Sequence, residues 1–333
     1  MENILILALF VLGLLIIIKG GDMFVDAAIW LAKVTGVPNV FIGSTIVSVA
    51  TTLPELFVSS IATYQEQYDV AVGNVVGSVV CNIGLILGLT ALISPIDIKG
   101  SNFKVKGLFM LACSAVVLFL LRDTIITSRE GLILLLIFIT YIILNVTEFK
   151  KSGKRQISHS SEHSFGPKTI VKNVLKFSVG AVLITVGAKL LVDNGVELAK
   201  IVGVPEQIVS LTLIALGTSL PELTTAITSI VKKEAGISIG NIIGANILNM
   251  AMVLGLSAQI AKQGVIVSYQ NIMLGAKIYN IPQTLYFDLP VAMLLITILV
   301  VGGIVFNKIN RLVAFSILSI YIVYLGSLAK LFL

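Results

Sequence analysis

Charge is scarce in this chain. Asp, Glu, Lys and Arg make up 12% of its 333 residues, about half the share of a soluble globular domain. Too little charge remains to cover an ordinary solvated surface. Cysteine is scarcer still: Cys81 and Cys113 are the only two, both inside apolar runs, which excludes a disulfide framework. The only two histidines, His159 and His163, share one polar stretch and read as solvated loop residues, not as a metal centre. No Ser/His pair lies within an apolar run, and neither HExxH nor GxGD occurs, so nothing supports an intramembrane enzyme. The net charge of +6 sits in the polar connections. It reports orientation and calls for no nucleic-acid partner.

Apolar length is what the chain has in abundance. Apolar residues make up 57% of it, with a mean hydropathy of +1.04. Many runs approach the roughly 20 residues that a helix needs to cross a bilayer. The expected class is an all-α polytopic membrane protein, with the lipid bilayer as its solvent. The first run, Ile4–Ile18, lacks a basic leader and a small-x-small site and continues through Lys19–Trp30. We therefore expect a long helix there and not a cleaved signal.

Ten spans are expected, roughly Ile4–Ala32, Asn39–Tyr64, Val70–Ile93, Lys106–Leu121, Thr124–Val146, Val171–Lys200, Gln207–Val231, Ala235–Ile260, Leu289–Phe306 and Arg311–Phe332. The polar stretch 148–168 is the clear linker and separates five spans in 1–147 from five in 169–333. An odd number of spans per half makes the halves enter the membrane from opposite sides. The linker carries Lys150, Lys151, Lys154, Arg155 and Lys168. The excess of Lys and Arg on cytoplasmic loops then places it in the cytoplasm of a plasma membrane, with both termini extracellular.

The two halves are related in sequence. Gly36–Ile93 recurs without gaps as Gly203–Ile260, at a constant offset of 167, with about 18 of the 58 pairs identical. The identities fall on Gly, Pro, Asn, Thr and Glu. Thr51-Thr52-Leu53-Pro54-Glu55 stands against Thr218-Ser219-Leu220-Pro221-Glu222, Gly73-Asn74 against Gly240-Asn241, and Asn82 against Asn249. With opposite entry, this is an inverted repeat, a common plan of secondary transporters whose mid-membrane sites use broken helices.

The repeated residues suit a hard cation. Pro54 has no N–H and is expected to break or kink its helix, freeing the carbonyls near Ala50. Thr51 and Thr52 add hydroxyls. Glu55 adds a charge that costs about 2.5–3.5 kcal/mol in mid-helix. Thr218, Ser219, Pro221 and Glu222 repeat the set. Two carboxylates, hydroxyls and carbonyls give an all-oxygen site of the kind Ca2+ takes. Asn74, Ser78 and Asn82 fall on one helical face, as do Asn241, Ala245 and Asn249. Asn82 and Asn249 are expected ligands, whereas Asn74 and Asn241 are expected to tie helices together. Asp22, Asp26, Lys189, Asp193 and Glu197 are read as interfacial charges that snorkel or pair.

At the paired LPEL and GN-xx-G-xxxx-N segments, the chain resembles the sodium/calcium exchangers of the Ca2+:cation antiporter superfamily, with prokaryotic members as the pattern. The resemblance implies that Na+ and Ca2+ bind alternately to Glu55, Glu222, Thr51 and Thr218, with Ser78 and Asn82 from the following helix. Ser48 and Ala215 lend oxygens just upstream, Ala215 by its backbone carbonyl. Asn249 resembles the potassium-independent branch. Ala245 replaces a usual serine and removes one hydroxyl. The expected function is Na+/Ca2+ antiport by alternating access, with no cofactor beyond the transported ions and no catalysis. A Ca2+/H+ antiporter is the first alternative, although the GN-x-x-E element of proton-coupled relatives is missing. A cation channel is the second, though paired acids in inverted halves suit an occluding carrier better. Protein partners are left open.

Overall fold

The computed structural model describes residues 2–98, 102–156, 167–201, 215–274 and 277–332. The chain is helical: α1 (Glu2–Thr35), α2 (Asn39–Tyr64), α3 (Tyr68–Ile93), α4 (Phe103–Leu120), α5 (Ser128–Gln156), α6 (Pro167–Ile201), α7 (Ala215–Thr218), α8 (Leu220–Val231), α9 (Ala235–Ile260), α10 (Leu289–Phe306) and α11 (Arg311–Phe332). Nine helices among the described residues are long and apolar enough to span a membrane. In such a helix every backbone group is paired within the segment, which is the condition for crossing hydrocarbon. The expected span Gln207–Val231 is described only from Ala215 onward, as α7 and α8. His159 and His163 lie outside the described residues. Helix α5 continues to Gln156, into the polar stretch expected to be a linker.

Two compact units divide the chain. One contains Met1–Thr51 and Leu144–Asn241, the other Thr52–Ile143 and Ile242–Leu333. In the first unit the long helices α1 and α6 pack along each other, with Phe24 stacked on Phe177 at a centroid distance of 4.4 Å. The contact is close because glycines line it: a Cβ on Gly20 would lie 2.9 Å from Ile184 N and 3.0 Å from Gly180 O. A Cβ on Gly187 would lie 2.9 Å from both Ile17 N and Gly13 O. The second set is the first shifted by 167 with the helices exchanged. Small residues allow this approach in a bilayer, where dispersion and not hydrophobic burial drives helix pairing. Phe24, Val25, Ala28, Phe41, Ile42 and Ile237 form the buried apolar core of this unit. The charges Asp22 and Asp26 on α1 pair as expected. Lys232 Nζ stands 2.7 Å from Asp26 Oδ1 and 3.3 Å from Asp22 Oδ1, and Lys176 reaches Asp26 at 3.8 Å.

In the second unit, three short antiparallel ribbons join the helices. The all-helical expectation did not include them. β1 (Ile96–Asp97) pairs with β6 (Lys308–Ile309), β2 (Ile125–Ile126) with β3 (Val265–Ile266), and β4 (Gln270–Leu274) with β5 (Lys277–Ile281). Each of the first two ribbons joins a segment from one half of the sequence to a segment from the other. The halves also share local geometry. Glu66 (φ 61°) and Lys233 (φ 60°), 167 apart, both take the left-handed conformation that ends a helix. Helices α3 and α9 begin, end and change geometry in step: both turn π-helical at matched asparagines, over Asn82–Leu87 and Asn249–Val253.

Of the break or kink expected at Pro54, the break does not occur. The α-helical geometry runs unbroken over Ser48–Tyr64, and the irregular turn lies upstream, where Gly43–Val47 is π-helical. Proline removes one hydrogen bond and so bends a helix, while packing holds both sides helical. The Ala50 carbonyl still lacks its i+4 donor. In the second half the interruption does occur beside the proline, at Ser219 between α7 and α8.

Candidate functional site

In the first unit, the polar residues gather on α2, α8 and the start of α9. Ser219 is the N-cap of α8, Pro221 lies in its first turn, and Glu222 follows. Ser-Leu-Pro-Glu is the spacing of a capping box, in which the serine and glutamate satisfy the first backbone amides. Here the cap makes no side-chain hydrogen bond. Ser219 Oγ and both carboxylate oxygens of Glu222 are buried without a hydrogen-bond partner, and both residues are fully buried. Thr225 Oγ1 and Ser238 Oγ are in the same condition.

The Thr51 hydroxyl stands beside the Glu222 carboxylate. It can also donate to Asn241 Oδ1 at 3.1 Å or to the Ser48 carbonyl at 3.4 Å. Ser48, also fully buried, donates to the Thr45 carbonyl at 3.0 Å, which leaves its lone pairs free to accept. Asn241 therefore ties α9 to α2, the role expected of it. Thr218 ends α7 and is half-buried. Ala215 opens the same short helix, and no more of it is described.

In the second unit, Thr52, Glu55, Ser78, Asn82, Ala245 and Asn249 are all buried. Asn74 Nδ2 donates to the Glu55 carbonyl at 3.3 Å and to Ser59 Oγ at 2.9 Å, joining α3 to α2 as expected. Thr52 Oγ1, Ser78 Oγ, Asn82 Oδ1 and both polar atoms of the Asn249 side chain lack hydrogen-bond partners. Ser78 and Asn82 are one turn apart on α3, with Asn82 at the entry to the π turn. Asn82 Nδ2 donates to Asn246 Oδ1 at 3.0 Å. The sequence reading passed over Asn246 because the repeat sets it against Val79, and the repeat drew attention to matches. Among the described residues no group of three or more His, Cys, Asp or Glu side chains converges. Amide and hydroxyl oxygens make up most of the buried, unpartnered polar atoms.

Native interiors leave few polar groups unpaired. The unpaired atoms among the described residues of this membrane-spanning chain are nearly all oxygens, the donor type that hard cations select. The sodium/calcium exchanger family model matches residues 5–147 and 172–329, and the chain belongs to that family. It is 37% identical over 258 residues to the inner membrane protein YrbG of Escherichia coli strain K12, an alignment covering 76% of this chain and 79% of that protein. It is 32% identical over 291 residues to the sodium/calcium exchanger MaX1 of Methanosarcina acetivorans, covering 77% and 82%. A structure of the sodium-calcium exchanger NCX_Mj soaked with Na+ and Sr2+ matches with a TM-score of 0.80 and 28% identity, over 98% of this chain and 99% of that one.

Proposed function

We propose that this chain exchanges Na+ for Ca2+ by alternating access, both ions competing for oxygens supplied by Glu55, Glu222, Thr51, Thr52, Thr218, Ser219, Ser48, Ser78, Asn82 and Asn249 and by the Ala215 carbonyl. The observation that carries this reading is the set of buried oxygens without hydrogen-bond partners at matched positions of the repeat: Thr52 with Ser219, and Asn82 with Asn249. Glu222 adds a buried charge. Two ionised carboxylates cannot cross an occluded state empty, because desolvating each costs several kcal/mol. Ca2+ neutralises both, and so do two Na+. Competition for shared oxygens gives exchange where an open pore would give leak.

The inverted repeat is part of the proposal: repeat 1–147, linker 148–168, repeat 169–333. It is supported by the reciprocal glycine contacts of α1 and α6 and by the exchanged pairing of β1 with β6 and β2 with β3. Self-complementary contacts of this kind are what a two-fold relation produces. Helices α1 and α6 serve as the sliding gate. The linker faces the cytoplasm of a plasma membrane and both termini face outward.

Uptake of 45Ca2+ into proteoliposomes tests the function. An outward Na+ gradient should drive uptake, while an equal K+ gradient should not. Uptake driven by an outward proton gradient, with Na+ absent, would replace this reading by Ca2+/H+ exchange.

A further inference from the structure

We infer that Asn246 is a positioning residue that fixes which end of the Asn82 amide faces the transported ion, and that Met110 sets the direction of the relay. This rests on the proposed role of Asn82 as an ion ligand. Three links within the second unit carry it. Met110, on α4, is fully buried, and Asn246 Nδ2 lies 3.9 Å from its sulfur. A thioether sulfur accepts weakly and has no proton to give. The Asn246 amide therefore turns its NH2 end toward Met110. The reverse orientation would set Oδ1 against sulfur, acceptor against acceptor.

With its nitrogen so directed, Asn246 presents Oδ1 to Asn82 and accepts from Asn82 Nδ2 at 3.0 Å. Asn82 has two amide ends and has now committed the donor. Its Oδ1 points elsewhere, buried and without a hydrogen-bond partner. A hard cation is bound by the carbonyl end of an amide and repelled by the NH2 end. In a low-dielectric interior a reversed amide costs both a ligand and an opposing dipole. Asn82 is thus held with its oxygen outward before any ion arrives, which reduces the ordering cost of binding.

The device is present once. At the offset of 167, Asn249 corresponds to Asn82, but Val79 corresponds to Asn246. Valine has no hydrogen bond to offer, and neither polar atom of the Asn249 side chain has a partner. One half offers a carbonyl oxygen oriented by a hydrogen bond, and the other an amide that no hydrogen bond orients. A merely structural role for Asn246, as a buried polar bridge between α3, α9 and α4, would leave the Asn82 oxygen incidental.

Half-saturation for Ca2+ and for Na+ in proteoliposomes containing the full chain tests this. Asn246→Leu keeps the volume and removes the acceptor. It should raise half-saturating Ca2+ about fivefold, the worth of one hydrogen bond, and Asn82→Ala should raise it by at least as much. The double variant should match Asn82→Ala alone, because Asn246 acts only through Asn82. Additive losses would show Asn246 to be packing and overturn the proposal. Should Asn246→Leu fail to fold, Met110→Leu decides: an increase of about twofold that vanishes in the Asn82→Ala background supports the relay, and no change or an additive change overturns it. If Asn82→Ala weakens binding while Asn246→Leu does not, only the positioning fails. If Asn82→Ala itself leaves both half-saturations unchanged, Asn82 is no ligand and both readings fall.

Discussion

Glu222 combines three conditions that a stable protein seldom tolerates together: ionisable, fully buried, and without a hydrogen bond to either carboxylate oxygen. Its place in the first turn of α8 helps, since a helix N-terminus favours negative charge by about 0.3–1 kcal/mol. That is small beside the several kcal/mol of desolvation. On the proposed reading, a bound cation closes the difference. We expect Glu222→Gln and Glu55→Gln each to raise half-saturating Ca2+ at least a hundredfold, or about 3 kcal/mol, with the protein still monodisperse on size exclusion. Near-normal Na+-driven 45Ca2+ flux in either variant would remove that residue from the site. Ala245 offers a second test, because it places a methyl where its counterpart Ser78 offers a hydroxyl. Ala245→Ser should lower half-saturating Na+ about threefold and leave Ca2+ half-saturation in the absence of Na+ nearly unchanged, a small gain typical of one added neutral ligand. Unaltered Na+ dependence would mean that position 245 faces no ion.

At the scale of elements, the π turns are the informative irregularities. Among the described residues they begin at Asn82 and at Asn249, a third occupies Gly43–Val47 immediately before Ser48, and a fourth covers Thr284–Asp288 before α10. A π turn rotates the following residues relative to an α-helix and leaves carbonyls poorly paired, which is why such turns collect at functional sites. Helices α1 and α6 depend instead on closeness. Replacing Gly20 by Leu puts a side chain where Gly180 O and Ile184 N already stand within about 3 Å of an added Cβ. Gly187→Leu does the same against Gly13 and Ile17. If these helices form the gate, each variant should cut exchange at least tenfold and lower the thermal unfolding midpoint, since overpacking costs about 1–3 kcal/mol. Wild-type flux in both would dissociate the gate from this contact. Cysteine labelling tests which way the elements face. In a background lacking the buried Cys81 and Cys113, a cysteine at Gln67 should react with an impermeant thiol reagent in intact cells. One at Ser152 should react only after permeabilisation. The reverse pattern would invert the orientation drawn from Lys and Arg.

Across the whole molecule, the spans were legible because apolar length is a one-dimensional signal, and the candidate ligands were legible because the repeat printed most of them twice. Thr51, Thr52, Ser219, Glu55 and Glu222 stood out as polar groups that recur in apolar surroundings. Asn246 did not, since its counterpart is Val79 and its meaning depends on Met110, 136 positions away. The ribbons were equally hidden. Ile96 meets Ile309 and Ile125 meets Ile266, and two-residue strands leave no alternation to detect. Whether Pro54 would break its helix was not legible, because the rule for an isolated helix takes no account of neighbours that keep both sides helical.

The sequence by itself determined the membrane class, the internal repeat of residues and the polar side chains set inside apolar spans. Each follows from composition or from residues compared at a fixed offset, and needs no knowledge of what touches what. Only the tertiary structure decided how those oxygens are presented. Whether Thr51 gives its proton to Asn241, whether Ser219 caps its helix, and which end of the Asn82 amide is left free are settled by partners distant in sequence. A hydrogen-bonding group carries no fixed direction until its partner is in place.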